Sequence, residues 1–153
     1  MRVAGVVTVA AALVAGGVLV YAYARGSVRK NIADTLNRVT DPKGVLSISG
    51  RVGRSELVGS GDGIIEFHLS QEDGREILSA LRNAERAPDN VSCSWIGDLF
   101  VHHSDGSCTY VLVRTARIYV GDNVGDKIVL NNDGTANRIL RTILERMEAK
   151  AAG

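Results

Sequence analysis

The side chains in this sequence best suited to chemistry are three histidines and two cysteines: His68, His102, His103, Cys93 and Cys108. His103 and Cys108 stand on either side of Ser104-Asp105-Gly106-Ser107, between the β-rich runs WIGDLFVHH and CTYVLVRTARIYV. Asp-Gly between apolar runs is a strong hairpin signal. A two-residue loop at Asp105 and Gly106 pairs His103 with Cys108, Val101 with Tyr110, Leu99 with Leu112, Gly97 with Arg114 and Trp95 with Ala116. Thiolate beside imidazole would suit zinc, and His–Cys is also the start of a nucleophilic site. Two ligands do not complete a metal site, however, and a nucleophile needs an orienting third group and oxyanion donors that the sequence does not offer. A packing pair at the hairpin end is the expected reading. An enzyme or metal site around His103 and Cys108 is kept as an alternative, and no cofactor is expected.

The same register divides the hairpin into two faces. Trp95, Leu99, Val101, Tyr110, Leu112, Ala116 and Ile118 form the core side. Ile96, Asp98, Phe100, His102, Thr109, Val111, Val113 and Arg117 form a mixed side, where Asp98 and Arg117 are expected to pair and Ile96, Phe100, Val111 and Val113 offer an apolar partner surface. The register also bears on the cysteines. Cys93 lies ten residues from His103 along an extended strand, roughly 33 Å at about 3.3 Å per residue, against a Cα limit of about 7 Å for a disulfide. Two unbridged thiols are expected, which fits a reducing compartment.

Other motifs carry less. The glycine-rich Gly59-Ser60-Gly61-Asp62-Gly63 runs from a strand into a strand, not into a helix, and matches neither dinucleotide nor phosphate-loop spacing. The whole stretch from Gly53 to Gly63 reads as a flexible connecting loop. Ser27-Val28-Arg29-Lys30 fits S-x-x-K without its companion motifs, and no G-x-S-x-G elbow is present. Asn90-Val91-Ser92 has the form of a glycosylation sequon, which matters only in a eukaryotic secretory pathway.

Period-2 and period-3.6 patterns place the elements that carry these residues. Val45 to Val52 alternates with Leu46, Ile48 and Val52 on one face, and Ile64 to Leu69 with Ile65, Phe67 and Leu69 inward and Glu66 and His68 outward. Ser70 opens a helix, its hydroxyl accepting from the Asp73 N–H, with Ile77, Leu78, Leu81 and Ala84 as the apolar stripe. Lys127 to Leu130 is a short strand. Asn131 to Gly134 then supplies caps for a helix over Thr135 to Ala149, striped by Ile139, Leu140, Ile143, Leu144 and Met147, with Arg141 and Glu145 as an exposed pair.

Upstream of all this lies Val3 to Ala24, uncharged and with Thr8 as its one hydroxyl residue besides two tyrosines near its end. As a helix it would reach roughly 33 Å, enough to cross a hydrocarbon core. Its length and the terminal Tyr21 and Tyr23 favour an uncleaved anchor in the lipid bilayer. Ala22-Tyr23-Ala24 also has the form of a signal-peptidase site, which would release a secreted or periplasmic domain. Arg25, Arg29 and Lys30 outweigh Arg2 and lean toward a cytoplasmic domain. With those four set aside, the 18 basic residues fall to 14 against 17 acidic ones, a charge of −3. An acidic domain poor in aromatic residues is a poor candidate for nucleic acid.

The expected organisation is a membrane anchor or signal over 1–26, a juxtamembrane helix and linker over 27–43, and an α+β domain over 44–153. That domain is expected to hold an antiparallel sheet of about five strands with two amphipathic helices on one face. A membrane-anchored, non-catalytic module that binds an as yet unidentified protein is the expected function.

Overall fold

The computed structural model describes residues 33–88, 91–121 and 128–152. The chain divides into two units, Met1–Thr35 and Leu36–Gly153, and the second holds all the elements named below. Val3–Ala24 lies outside the described residues, among which no helix is long and apolar enough to cross a membrane. Residues 33–40 are helical. Val39 and Thr40 are buried, and the Arg82 guanidinium donates to both the hydroxyl and the carbonyl of Thr40. The second unit begins at Leu36, within the span expected as juxtamembrane helix and linker.

The protein is α+β: β1 (Val45–Gly53), α1 (Arg54–Val58), β2 (Ile64–Ser70), α2 (Arg75–Asn83), β3 (Trp95–His103), β4 (Cys108–Arg114), β5 (Arg117–Gly121), β6 (Ile128–Asn131) and α3 (Thr135–Ala152). The six strands make one antiparallel sheet in the order β2-β1-β3-β4-β5-β6. Helices α2 and α3 lie on one face, burying Ile77, Leu78, Leu81, Ile139, Leu140 and Ile143 over Ile48, Val52, Leu69, Leu99, Val101, Val111, Val113, Ile118 and Leu130. The outer side of β6 is closed by the chain after α2. Ala87 N–H donates to the Val129 carbonyl, Asn131 N–H to that of Glu85, and Arg86 bridges Leu130.

Five local features depart from the sequence reading, each for an identifiable reason. The run CTYVLVRTARIYV is two strands, because it turns at Thr115-Ala116. That turn lacks glycine, asparagine or proline and is held from outside. Thr115 exchanges bonds with Ser94, and the Asn132 amide donates to the carbonyls of Arg114 and Thr115 at 2.9 and 3.0 Å. The same Asn132 accepts from Ala136 N–H and so caps α3. In β1 a bulge between Val45 and Ser47 sends Val45 into the core and leaves Leu46 60% exposed, reversing the alternation assigned to that end of the strand. The Gly53–Gly63 stretch is not all loop: Leu57 packs inward from α1, which Gly59 ends at φ 76. Ser70 does accept from Asp73 N–H at 3.2 Å, but regular helix starts only at Arg75.

The fifth departure is the hairpin register. His103 N–H donates to the Ser107 carbonyl at 2.9 Å, and Gly106 N–H donates to the His103 carbonyl at 3.1 Å with Gly106 at φ 81. This is a three-residue loop, a type I turn completed by a left-handed glycine. The Asp105 carboxylate braces it by accepting from the N–H and hydroxyl of Ser107. The third loop residue slips the pairing by one. His102, not His103, faces Cys108, followed by Val101 with Thr109, Phe100 with Tyr110, Leu99 with Val111 and Asp98 with Leu112. A slip of one exchanges the two faces of a strand. Val111 and Val113 therefore belong to the core, while Tyr110 and Leu112 lie on the side the helices leave bare.

Candidate functional site: the bare face of the sheet

The slip separates the two residues on which an enzyme or metal site would rest. His103 is buried on the helix-covered side, its Nε2 2.9 Å from the Thr109 hydroxyl. Cys108 is on the opposite side, across from His102, whose Nε2 lies 2.8 Å from the Ser49 hydroxyl. The pair that the sequence reading placed side by side is not formed. Among the described residues no group of three His, Cys, Asp or Glu side chains could hold a metal ion. Neither cysteine is in a disulfide. The apolar patch of Ile96, Phe100, Val111 and Val113 is likewise not formed, since Ile96, Val111 and Val113 are 5%, 0% and 1% exposed. Ile96 is drawn inward by a bulge between Trp95 and Gly97. Phe100 alone of the four lies on the bare side, half-buried.

The slip brings a different set of side chains together on that side. Trp95, Phe100, Tyr110, Leu112 and Tyr119 lie around Asp98 on the side opposite α2 and α3. The Phe100 and Tyr110 rings, on facing positions, pack with centroids 5.4 Å apart at 46°. The Arg114 guanidinium lies over the Tyr119 ring at 5.7 Å, a cation–π distance, and reaches the Cys93 carbonyl. Its Nε is buried without an acceptor.

Asp98 is the centre of this face. It is 3% exposed, and its carboxylate accepts from the Tyr110 hydroxyl at 2.5 Å, the Arg51 Nε at 2.8 Å and the Trp95 indole at 3.2 Å. The expected ion pair with Arg117 is replaced by that with Arg51, which stands directly opposite on β1. Arg117 instead binds the carbonyls of Pro88 and Ala116 and the Asn131 side chain. Burial pushes the Asp98 carboxyl up, but the bonds from Tyr110, Arg51 and Trp95 outweigh it and hold the group below the ordinary aspartate value. The same bond and charge from Asp98 raise Arg51 above an already high value, so the guanidinium stays charged while its side chain is 55% exposed.

Tyr110 is pushed up to about 12, by burial first and then by the Asp98 bond and charge. Its phenol therefore keeps its proton in the folded chain after an ordinary tyrosine has lost it. The stabilisation is complete below pH of about 10 and is lost as pH rises through about 12. Alkaline titration followed by tyrosinate absorbance is expected to show a late component that disappears in Tyr110→Phe. A wild-type curve superimposable on that of the variant, less one ordinary tyrosine, would rule out the bond to Asp98.

A carboxylate with three donors and a lowered proton affinity is a poor general base. The arrangement fixes the shape of the surface: three elements' side chains are locked to one anchor, leaving aromatic rings and guanidinium groups toward solvent. The sequence did contain a signal for it. Arg114 is in phase with Cys108, Tyr110 and Leu112, and a charged residue in that set marks it as the side away from the core.

Comparison of the chain with protein-family models, with curated proteins and with solved structures finds no match to any of them.

Proposed function

We propose that this chain is a membrane-tethered, non-catalytic protein-binding module whose ligand surface is the bare face around Asp98. The observation that carries the reading is the composition of that face. Tryptophan, tyrosine and arginine are the residue types that dominate binding hot spots, and here they surround a buried, fully bonded carboxylate that preorganises them. Trp95, Tyr110, Leu112 and Tyr119 supply apolar area. The exposed guanidinium of Arg51 and the stacked one of Arg114 set the charge preference. The partner is a polypeptide that lays aromatic or branched apolar side chains on the face and brings a carboxylate to a guanidinium. The tether rests on the length and composition of Val3–Ala24.

Selection of displayed random peptides on the full-length protein in nanodiscs tests this. Recovered peptides are expected to combine aromatic or aliphatic residues with a neighbouring Asp or Glu. Their binding is expected to weaken by about tenfold or more with Leu112→Ser and with Arg51→Ala. Recovery of no peptide sensitive to either change would reject the face as the ligand surface.

A further inference from the structure

The two edges of the sheet are treated differently. The outer side of β6 is covered by backbone from 85–87, whereas among the described residues no backbone pairs with the outer side of β2. Which peptide groups β2 presents there follows from the alternation of an antiparallel ladder. The His103–Ser107 bond directs the peptide groups of Leu99, Val101 and His103 toward β4, so those of Asp98, Phe100 and His102 point toward β1. Their partners Arg51, Ser49 and Ser47 point back at β3, which leaves Ile48, Gly50 and Val52 for β2. Leu69, Phe67 and Ile65 are thereby bonded to β1, and Ile64, Glu66, His68 and Ser70 direct their N–H and C=O groups outward. Two of these are held: the Ser70 carbonyl accepts from the Gly74 N–H at 3.0 Å, and the Lys150 ammonium donates to the His68 carbonyl at 2.9 Å.

We infer that β2 pairs antiparallel with β2 of a second copy of this chain, about a two-fold axis at Phe67. Outward groups can meet only outward groups, so the central pairs available are Glu66 with Glu66, His68 with His68, and Glu66 with His68. The first sets like charges opposite each other, and the second matches imidazole with imidazole and leaves Glu66 facing Ser70. The third is complementary throughout. It places carboxylate opposite imidazole twice on the exposed side, and Ile65 opposite Leu69 twice on the apolar side, with Phe67 beside its own copy. A sequence that reads as its own complement is what a two-fold interface requires, and strand addition at a sheet edge supplies the main-chain bonds. On pairing, the His68 carbonyl exchanges Lys150 for the Glu66 N–H of the second copy, and the exposed ammonium returns to water. In the single copy that lysine guards the edge against indiscriminate pairing. This association is independent of what the bare face binds.

The test is sedimentation equilibrium of the full-length chain in detergent micelles, with two variants at exposed positions, Glu66→Lys and His68→Glu. Wild type is expected to show a concentration-dependent monomer–dimer equilibrium. Each variant alone sets like or unfavourable groups opposite one another at both symmetric positions and is expected to dimerise about tenfold more weakly. An equal mixture of the two is expected to recover wild-type association, because the introduced lysine then faces the introduced glutamate and the native His68 faces the native Glu66. Monomer at all micromolar concentrations would overturn the inference. So would undiminished association of the single variants, or a mixture no stronger than its components, since pairing through an apolar segment is indifferent to these charges.

Discussion

Gly50→Ala is expected to cost at least about 3 kcal/mol, a large fraction of the stability of an ordinary domain. Gly50 lies in the middle of β1 between Phe67 on β2 and Leu99 on β3. A Cβ there would sit 2.2 Å from the Asp98 carbonyl oxygen, 2.9 Å from the Phe67 ring and 3.1 Å from the Leu99 Cα. Two of those three atoms are backbone and cannot rotate away, so the strands would have to separate where three of them meet. The Phe67 ring fills the space that the missing side chain leaves, which is why that ring is 7% exposed although β2 is an edge strand. Gly44→Ala is the control: its Cβ would meet only the Asp41 carbonyl at an ordinary 3.7 Å, and the change is expected to stay within about 0.5 kcal/mol. Urea unfolding of the full-length variants measures both. An unchanged midpoint for Gly50→Ala would mean that β1 and β3 do not approach as described.

Asp98→Ala is expected to cost about 2–3 kcal/mol. It removes the one acceptor shared by Tyr110, Trp95 and Arg51. Of the three, Arg51 can return to water, being 55% exposed, so the full penalty of a stranded charge does not apply. The hydroxyl and the indole depend on what water can reach them. Asp98→Asn keeps the shape and one carbonyl oxygen but turns an amide donor toward other donors, and about half the loss is expected. The pH dependence separates charge from packing. Because the folded carboxyl lies below its ordinary value near 3.8, the unfolded chain takes up the proton first as pH falls. The contribution is therefore fully present above that value and lost below it, as pH falls through the folded value. Wild type and Asp98→Asn should differ by a constant amount above about pH 5 and converge toward acid. A gap that did not close would assign the effect to packing alone.

The legible parts of this fold are those decided by local periodicity. Phe67 and Leu69 inward with Glu66 and His68 outward, the stripes Ile77-Leu78-Leu81 and Ile139-Leu140-Ile143, and the Arg141–Glu145 pair at 3.7 Å are all as the spacing indicates. What was not legible turns on single residues with no local signature. One additional residue in the Ser104–Gly106 loop moved Tyr110 and Leu112 out of the core and Val111 and Val113 into it. The Thr115-Ala116 turn exists because Asn132 and Ser94, distant in sequence, hold it. The bare face was expected, and Asp98, Phe100 and His102 of β3 were read correctly on it, whereas the bulge between Trp95 and Gly97 puts Trp95, expected in the core, on this face and takes Ile96 off it. Its occupants on β4 were inverted, and with them went most of the partner patch and the His103–Cys108 site, while the Asp98–Arg117 pair was lost to the turn that puts Arg117 on β5.

The closed outer side of β6 has a consequence for stoichiometry. A sheet exposed at both ends is a repeating unit: each added copy presents a fresh end, and growth has no natural stop. Here the segment 85–87 occupies one end within every copy, so joining through β2 consumes the only valence the sheet has among the described residues. The product is a closed pair with no strand left to extend it, and polymerisation through the sheet would first require peeling 85–87 from its own chain.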